Sequence, residues 1–229
     1  MKKKLGLVLA AGGAKGYIHI GVLKRLEEEK IYPDFISGSS IGALIGAMYA
    51  LGYSVKEIEK IALKYDKKYL LEYRIPSISL LNPTKIYKLL EDIFKDKTFD
   101  DTKIKLYIAT TNLTTQMPEY ISNGSILEAV KKSIAIPGAF PPIKEKKNLF
   151  IDGGILAPIP IEPLKNKSNV ILAVKFYYDI LSPFKKIPEI IDLLLKTLSA
   201  TGNNITDKII ETQKPDILLD CIESKKIST

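Results

Sequence analysis

Three short segments hold the residues whose types and spacing could do chemistry. Gly38-Ser39-Ser40-Ile41-Gly42 is a G-x-S-x-G pattern. It follows a run predicted as a strand and opens a segment predicted as a helix, which is the setting of a nucleophile elbow. The chain turns so sharply there that flanking side chains would collide. Glycines at 38 and 42 therefore leave Ser40 presented at a helix N-terminus, where the dipole favours developing negative charge. A serine in this place can also be a plain helix cap, but capping needs one serine and no flanking glycines. The second segment, Gly12-Gly13-Ala14-Lys15-Gly16, lies between a strand and a helix. Its backbone amides can form an anion nest. That suits an oxyanion hole or a phosphate cradle, and a structural glycine turn is a third reading. No Gly-Lys-Ser/Thr occurs, so it is not a P-loop. Ala11-x-Gly13-x-x-Gly16 comes near a dinucleotide fingerprint, with Asp34 at about the expected spacing, yet Asp34 precedes the second strand instead of ending it. The third segment is Asp152-Gly153-Gly154, directly after an apolar run at Leu149–Ile151. A carboxylate at a strand end beside glycines is placed like a general base; a turn-forming Asp-Gly is the simpler alternative.

Composition narrows these options. The chain has 229 residues, one His (His19) and one Cys (Cys221). One Cys excludes a disulfide framework and a Cys-based zinc site, and one His excludes a His-cluster metal site. His19 sits just inside the helix after the glycine loop, too near that loop to be placed independently, and reads as a packed helical histidine. What remains is a two-residue system of Ser40 with Asp152 as its base. The net charge is +8, and of the 34 basic residues only Arg25 and Arg74 are arginine. Lysine without arginine lacks the bidentate base readers of specific DNA binding, so the excess reads as a solvated coat. No apolar run has transmembrane length. Met1–Lys4 with Leu5–Ala11 imitates a secretory signal, but a buried first strand entering a glycine loop is the preferred reading.

The elements that must position the three segments alternate between apolar β-rich runs and helical patterns, predicting α/β with a largely parallel sheet. Strands are predicted at Leu5–Ala11, Phe35–Ser37, Leu106–Asn112, Leu149–Ile151, Asn169–Phe176 and Asp216–Cys221, with a tight turn at Gly38–Ser40. Helices are predicted at Tyr17–Lys30, Ile41–Leu51, from Ser54 to about Tyr65, from Asn82-Pro83-Thr84 to about Lys95, and from Ser125 to about Ser133. Two more are expected at Ile187–Ala200 and Asn204–Gln213. Lys67–Leu81 has no clear pattern. Pro137 to Pro163 holds six of the 13 prolines and reads as a rigid wall. With no internal repeat or low-complexity linker, one domain over residues 1–229 is expected, with room for a modest lid but no separate membrane-targeting or regulatory domain.

In order and spacing the motifs from about Leu5 to Pro163 resemble the patatin-like phospholipases. Leu7–Gly16 followed by His19-Ile-Gly-Val-Leu23 is similar to the glycine-rich oxyanion block, and Ser37–Ala43 to the nucleophile block. Ser133-x-Ala135-x-Pro137 with Phe140-Pro-Pro142 resembles the third block, and Asp152-Gly-Gly154 the aspartate block. The resemblance implies a three-layer α/β/α fold with a Ser–Asp dyad that hydrolyses lipid acyl esters without metal or other cofactor. It implies Ser40 as nucleophile, Asp152 as base, and Gly12, Gly13 and Ala14 as oxyanion donors. Lys15, Gly16, Gly38, Gly42, Gly153 and Gly154 support them. Ala10 and Ala11 stand where bacterial members usually carry glycines, Ile41 replaces the usual Ala, and Ala157-Pro158 stands where an Asn often follows.

The resulting expectation is a phospholipase A- or lysophospholipase-like acyl hydrolase of lipid metabolism. Its partner is a lipid ester substrate, not nucleic acid. The expected location is cytoplasmic and peripheral, with the lysines drawing the chain transiently to anionic membrane surfaces. Tyr69–Leu81 and Tyr177–Leu198 are candidates for a lid and channel wall. The rival class is a non-catalytic lipid- or nucleotide-binding protein that uses Gly12–Gly16 as a phosphate cradle.

Overall fold

The computed structural model describes residues 3–64, 83–176 and 190–221. Its strands are β1 (Leu5–Leu9), β2 (Phe35–Ser39), β3 (Lys105–Asn112), β4 (Met117–Ile121), β5 (Ile143–Glu145), β6 (Asn148–Asp152), β7 (Val170–Lys175) and β8 (Ile217–Asp220). Its α-helices are α1 (Tyr17–Glu28), α2 (Ile41–Leu51), α3 (Val55–Lys64), α4 (Thr84–Phe94), α5 (Ile126–Ser133) and α6 (Ile190–Gln213). The strands form one sheet in the order β5-β6-β3-β2-β1-β7-β8, with β4 also on β3. From β3 through β2, β1 and β7 to β8 all neighbours are parallel. β4 and β6 run antiparallel to β3, and β5 antiparallel to β6. This is the expected α/β sheet, parallel at its centre.

Alternation along the central strands sends side chains to two cores. Leu7, Leu9, Ile36, Leu106, Ile108, Leu172 and Val174 pack with the apolar sides of α1 to α5. Val8, Ala10, Tyr107, Ile171 and Ala173 face the other way, onto Ile159, Ile161 and Leu164, with Ile209 and Ile210 of α6 against them. Helices thus cover both faces, which is why β1 reads as an unbroken apolar run and not as an alternating one. Local caps agree with this plan. Ser54 and Glu57 bond reciprocally at the start of α3, Ser125 Oγ accepts the Glu128 amide before α5, and Gly52 ends α2 at φ 95°.

Three expectations are corrected. β2 continues through Gly38 to Ser39, so the turn is confined to Ser40. β4 and β5 are short strands on hairpins that the sequence reading left unassigned. The two helices expected at Ile187–Ala200 and Asn204–Gln213 are, over the described residues, one helix, α6. Its Gly-Asn-Asn step stays helical because local bonds hold it. Asn204 Nδ2 donates to the Ala200 carbonyl and Thr206 Oγ1 to the Gly202 carbonyl, with Asn203 and Thr206 buried. Lys67–Leu81, and residues 177–189 of the second lid candidate, lie outside the described residues. No described helix is long and apolar enough to cross a membrane.

A continuous α6 makes a direct prediction. Proline at exposed position 204 would be tolerated near the start of a separate helix but breaks the interior of a single one. Asn204→Pro should lower unfolding free energy by about 3 kcal/mol in urea titrations; an unchanged midpoint would restore the two-helix reading.

Candidate active site

The carboxyl ends of β1 and β2 and the end of β6 converge through β3. Ser39 pairs laterally with Ala109, and Asp152 with Thr110, the next residue. β2 and β6 therefore deliver Ser40 and Asp152 to adjacent steps of one strand. Ser40 Oγ donates to Asp152 Oδ2 at 2.6 Å. The second carboxylate oxygen, Oδ1, accepts the Gly154 amide at 2.7 Å.

Ser40 has φ 54° and ψ −119° and makes no side-chain cap bond to α2. A β-carbon-bearing residue in this region costs roughly 1–3 kcal/mol, and the surroundings must enforce it. They do so by close approach. A Cβ on Gly42 would overlap the carbonyl of Leu9, and one on Gly38 the carbonyl of Gly42. The elbow is thereby clamped against the end of β1. The Ser40 amide donates to Ser133 Oγ at 2.9 Å, and Ser133 Oγ donates on to the Ala109 carbonyl at 2.6 Å. The Asp152 amide donates to the Ala135 carbonyl. The Ser133–Ala135 segment therefore buckles both Ser40 and Asp152 in place. Sequence reasoning did not name Ser133 as a site residue; its only signal was its position in the third block of the family resemblance.

The glycine loop lies directly beside the elbow. Gly13–Gly16 form one 3-10 turn leading into α1, and Gly16 packs so closely on Ile41 that a Cβ would overlap its side chain. This contact is where the departure at Ile41 is accommodated. The Ala10 and Ala11 amides are spent on the Val174 and Pro158 carbonyls. Among the described residues, no acceptor takes the amides of Gly12 or Gly13. The alanines that depart from the glycine pattern thus sit where amides serve the fold, and the uncommitted amides begin at Gly12. Asp34 is remote from this loop. Its carboxylate accepts the Leu5 amide at the opposite end of β1, which removes the ribose-binding acid of a dinucleotide site.

His19 is fully buried and donates from Nε2 to the Ala10 carbonyl at 2.8 Å, with its ring 4.9 Å from that of Phe176. It bonds to neither Ser40 nor Asp152. Burial lowers its pKa to about 4 against the raising effect of the Ala10 bond, so the ring is neutral at pH 7. Asp152 is shifted the other way. Burial raises its pKa to about 6, against the lowering effect of the bonds from Ser40 and Gly154. A hydroxyl bonded to a desolvated, more basic carboxylate, beside unused amides at a helix start, is equipped for proton abstraction and acyl transfer.

The family profile described as patatin-like phospholipase matches residues 7–165. The chain belongs to the patatin-like phospholipase family. Among its relatives, the lysophospholipase nte1 of Aspergillus fumigatus is 33% identical over 179 residues, covering 75% of this chain and 12% of that protein. The neuropathy target esterase sws of Drosophila melanogaster is 32% identical over 170 residues, covering 71% and 12%. The patatin-like chain thus spans about 12% of the length of these relatives. VipD from Legionella pneumophila superposes with a TM-score of 0.56 at 16% identity, covering all of this chain and 63% of VipD. The ExoU–SpcU complex of Pseudomonas aeruginosa gives 0.50 at 16% identity, over 90% of this chain and 52% of the matched one. These structures share the patatin-like fold.

Two predictions follow from the site's bonds. Ser133→Ala removes the acceptor of the Ser40 amide and the donor to Ala109. It should lower stability by about 1–3 kcal/mol and turnover by about tenfold with KM little changed; full turnover in the folded variant would show that the amide needs no anchor. Asp152 carries a pKa raised on folding, so its ionisation opposes the fold above the unfolded pKa of 3.8, with the cost complete above about 6. Asp152→Asn should therefore gain roughly 3 kcal/mol at pH 8 and nothing near pH 3. Denaturant titrations at the two pH values give the difference, and an equal effect at both would remove the buried charge as its cause.

Proposed function

We propose that the chain is a serine acyl hydrolase of lipid esters, of phospholipase A or lysophospholipase type, acting through a Ser40–Asp152 dyad. The observation that carries this reading is the 2.6 Å bond from Ser40 Oγ to Asp152 Oδ2, made by a serine held in left-handed geometry. Asp152 takes the Ser40 proton as Oγ adds to the ester carbonyl. The amides of Gly12, Gly13 and Ala14 receive the oxyanion, and each such donor is worth about 3 kcal/mol of transition-state stabilisation. Collapse of the tetrahedral intermediate breaks the ester bond, and protonated Asp152 returns the proton to the leaving alcohol. Water then attacks the acyl-enzyme with Asp152 again as base, releasing the carboxylic acid and restoring the Ser40 hydroxyl. No histidine enters this cycle. Burial supplies the basicity that an imidazole supplies elsewhere. His19 holds the Ala10 carbonyl at the entry to the donor loop. Lys15 and Gly16 complete that loop, while Gly153 and Gly154 carry the chain away from the base. Residues 1–229 are read as one acyl-hydrolase unit, working in the cytoplasm and at membrane surfaces.

Ser40→Ala and Asp152→Asn should each abolish hydrolysis of an acyl ester, and Ser40→Ala should also abolish labelling by a fluorophosphonate. The acid limb of the rate should fall near pH 6, losing about tenfold per pH unit below it, because only ionised Asp152 accepts the proton. Folded protein that takes no label, or is protected by a nucleotide and not by an acyl ester, would instead favour a binding protein. A His19→Ala loss as complete as that of Ser40→Ala would overturn the dyad.

A further inference from the structure

Past the catalytic step, β3 continues to Asn112 and turns through residues 113–116 into β4, while β5 and β6 form a second hairpin beside it. Leu113 donates its amide to the Leu149 carbonyl, and Leu149 donates its amide to Thr114 Oγ1, so the two tips are bonded together. Asn112 Oδ1 accepts the amides of Thr114 and Thr115 and stiffens the first turn. Asp152 pairs with Thr110, and the tip is reached at Leu149, three residues along β6. At the rise of a strand that is about 10 Å. The tips therefore stand one short step beyond the reactive pair at the end of the sheet where the elbow opens.

Their side chains are not those of ordinary turns. Leu113 is 47% and Met117 60% exposed, at either end of the first turn. Lys144, Lys146 and Lys147 are exposed on the second hairpin, and among the described residues no carboxylate pairs with them. The carboxylate between them, Glu145, is held at 2.9 Å by Lys132. Two apolar prongs flanked by three unpaired ammonium groups, on a rigid support, fit a lipid surface with anionic headgroups. Two side chains are too few for a stable protein interface of about 800 Å² per partner, whereas shallow insertion beside charged headgroups needs no more.

We infer that the paired hairpin tips, Leu113 and Met117 with Lys144, Lys146 and Lys147, dock the chain on anionic membrane and so present a bilayer to the site. The inference rests on the lipid-hydrolase reading for its purpose, but its test does not require turnover. Ser40→Ala protein is sedimented with phosphatidylcholine vesicles with and without phosphatidylglycerol, alone and with either Leu113→Ser/Met117→Ser or Lys144→Glu/Lys146→Glu/Lys147→Glu added. The parent should sediment with the anionic vesicles, and high salt should release it. Each set of substitutions should weaken that association by about tenfold or more. With Ser40 intact, both sets should cut hydrolysis of vesicle lipid while leaving turnover of a soluble short-chain ester unchanged. Sedimentation that ignores anionic lipid, absence of sedimentation, or persistence of binding in both variants would overturn the docking surface. So would equal loss on soluble and vesicle esters. Vesicle binding with no ester hydrolysis by the parent sequence would instead sink the hydrolase reading and leave the docking surface standing.

Discussion

Two neighbouring residues of one strand, Ala109 and Thr110, bring the candidate site together. Ala109 takes Ser39 as its lateral partner and Thr110 takes Asp152. Ser40 and Asp152 are 112 residues apart along the chain, yet this register leaves them no choice but to meet. A slip of one residue would reverse the faces of β3 and pull the carboxylate from the hydroxyl. The register is in turn secured by the cores on both faces. Leu106 and Ile108 must enter one and Tyr107 the other, so hydrophobic burial, not a bond at the site, sets the distance between Ser40 and Asp152.

Holding the site costs the fold something at each member. Ser40 occupies unfavourable backbone space, Asp152 ionises only against desolvation, and His19 keeps a buried, unpartnered Nδ1. Each has a specific counterweight. The elbow is wedged against Leu9 by glycine contacts, the Ser40 amide is anchored by Ser133, and the His19 Nε2 proton ties the ring to Ala10. The opposed shifts of Asp152 and His19 have one origin, since burial disfavours whichever form is charged. The carboxyl is thereby made a better base and the imidazole is kept neutral.

Much was legible beforehand because the signals were local. Gly38-x-Ser40-x-Gly42 declares a sharp turn whatever surrounds it, and Ser54–Glu57 declares a helix start through bonds spanning three residues. The family blocks marked Ser40 and Asp152. Other features were hidden for physical reasons. β4 and β5 are short, half-buried or exposed strands with little apolar alternation, and exist because a neighbour pairs with them. Gly202-Asn203-Asn204 looks like a helix stop, but its side chains bond back to the helix in a buried setting. Ser133, at the end of α5, gains its place only from the Ser40 amide at the elbow and the Ala109 carbonyl of β3.

The sequence by itself determined the residue types, the elbow and loop glycines, and the scarcity of histidine and cysteine that left a serine and a carboxylate as the candidates for chemistry. Tertiary structure alone decided that Ser40 donates to Asp152, that the Ala10 and Ala11 amides are taken by Val174 and Pro158 while, among the described residues, those of Gly12 and Gly13 stay uncommitted, and that burial moves the two titratable groups in opposite directions. The division has a simple cause. Turns and caps are chosen by bonds within a few residues. Pairing, burial and electrostatic shift depend on which distant segments share a strand edge, and only packing of both cores selects those.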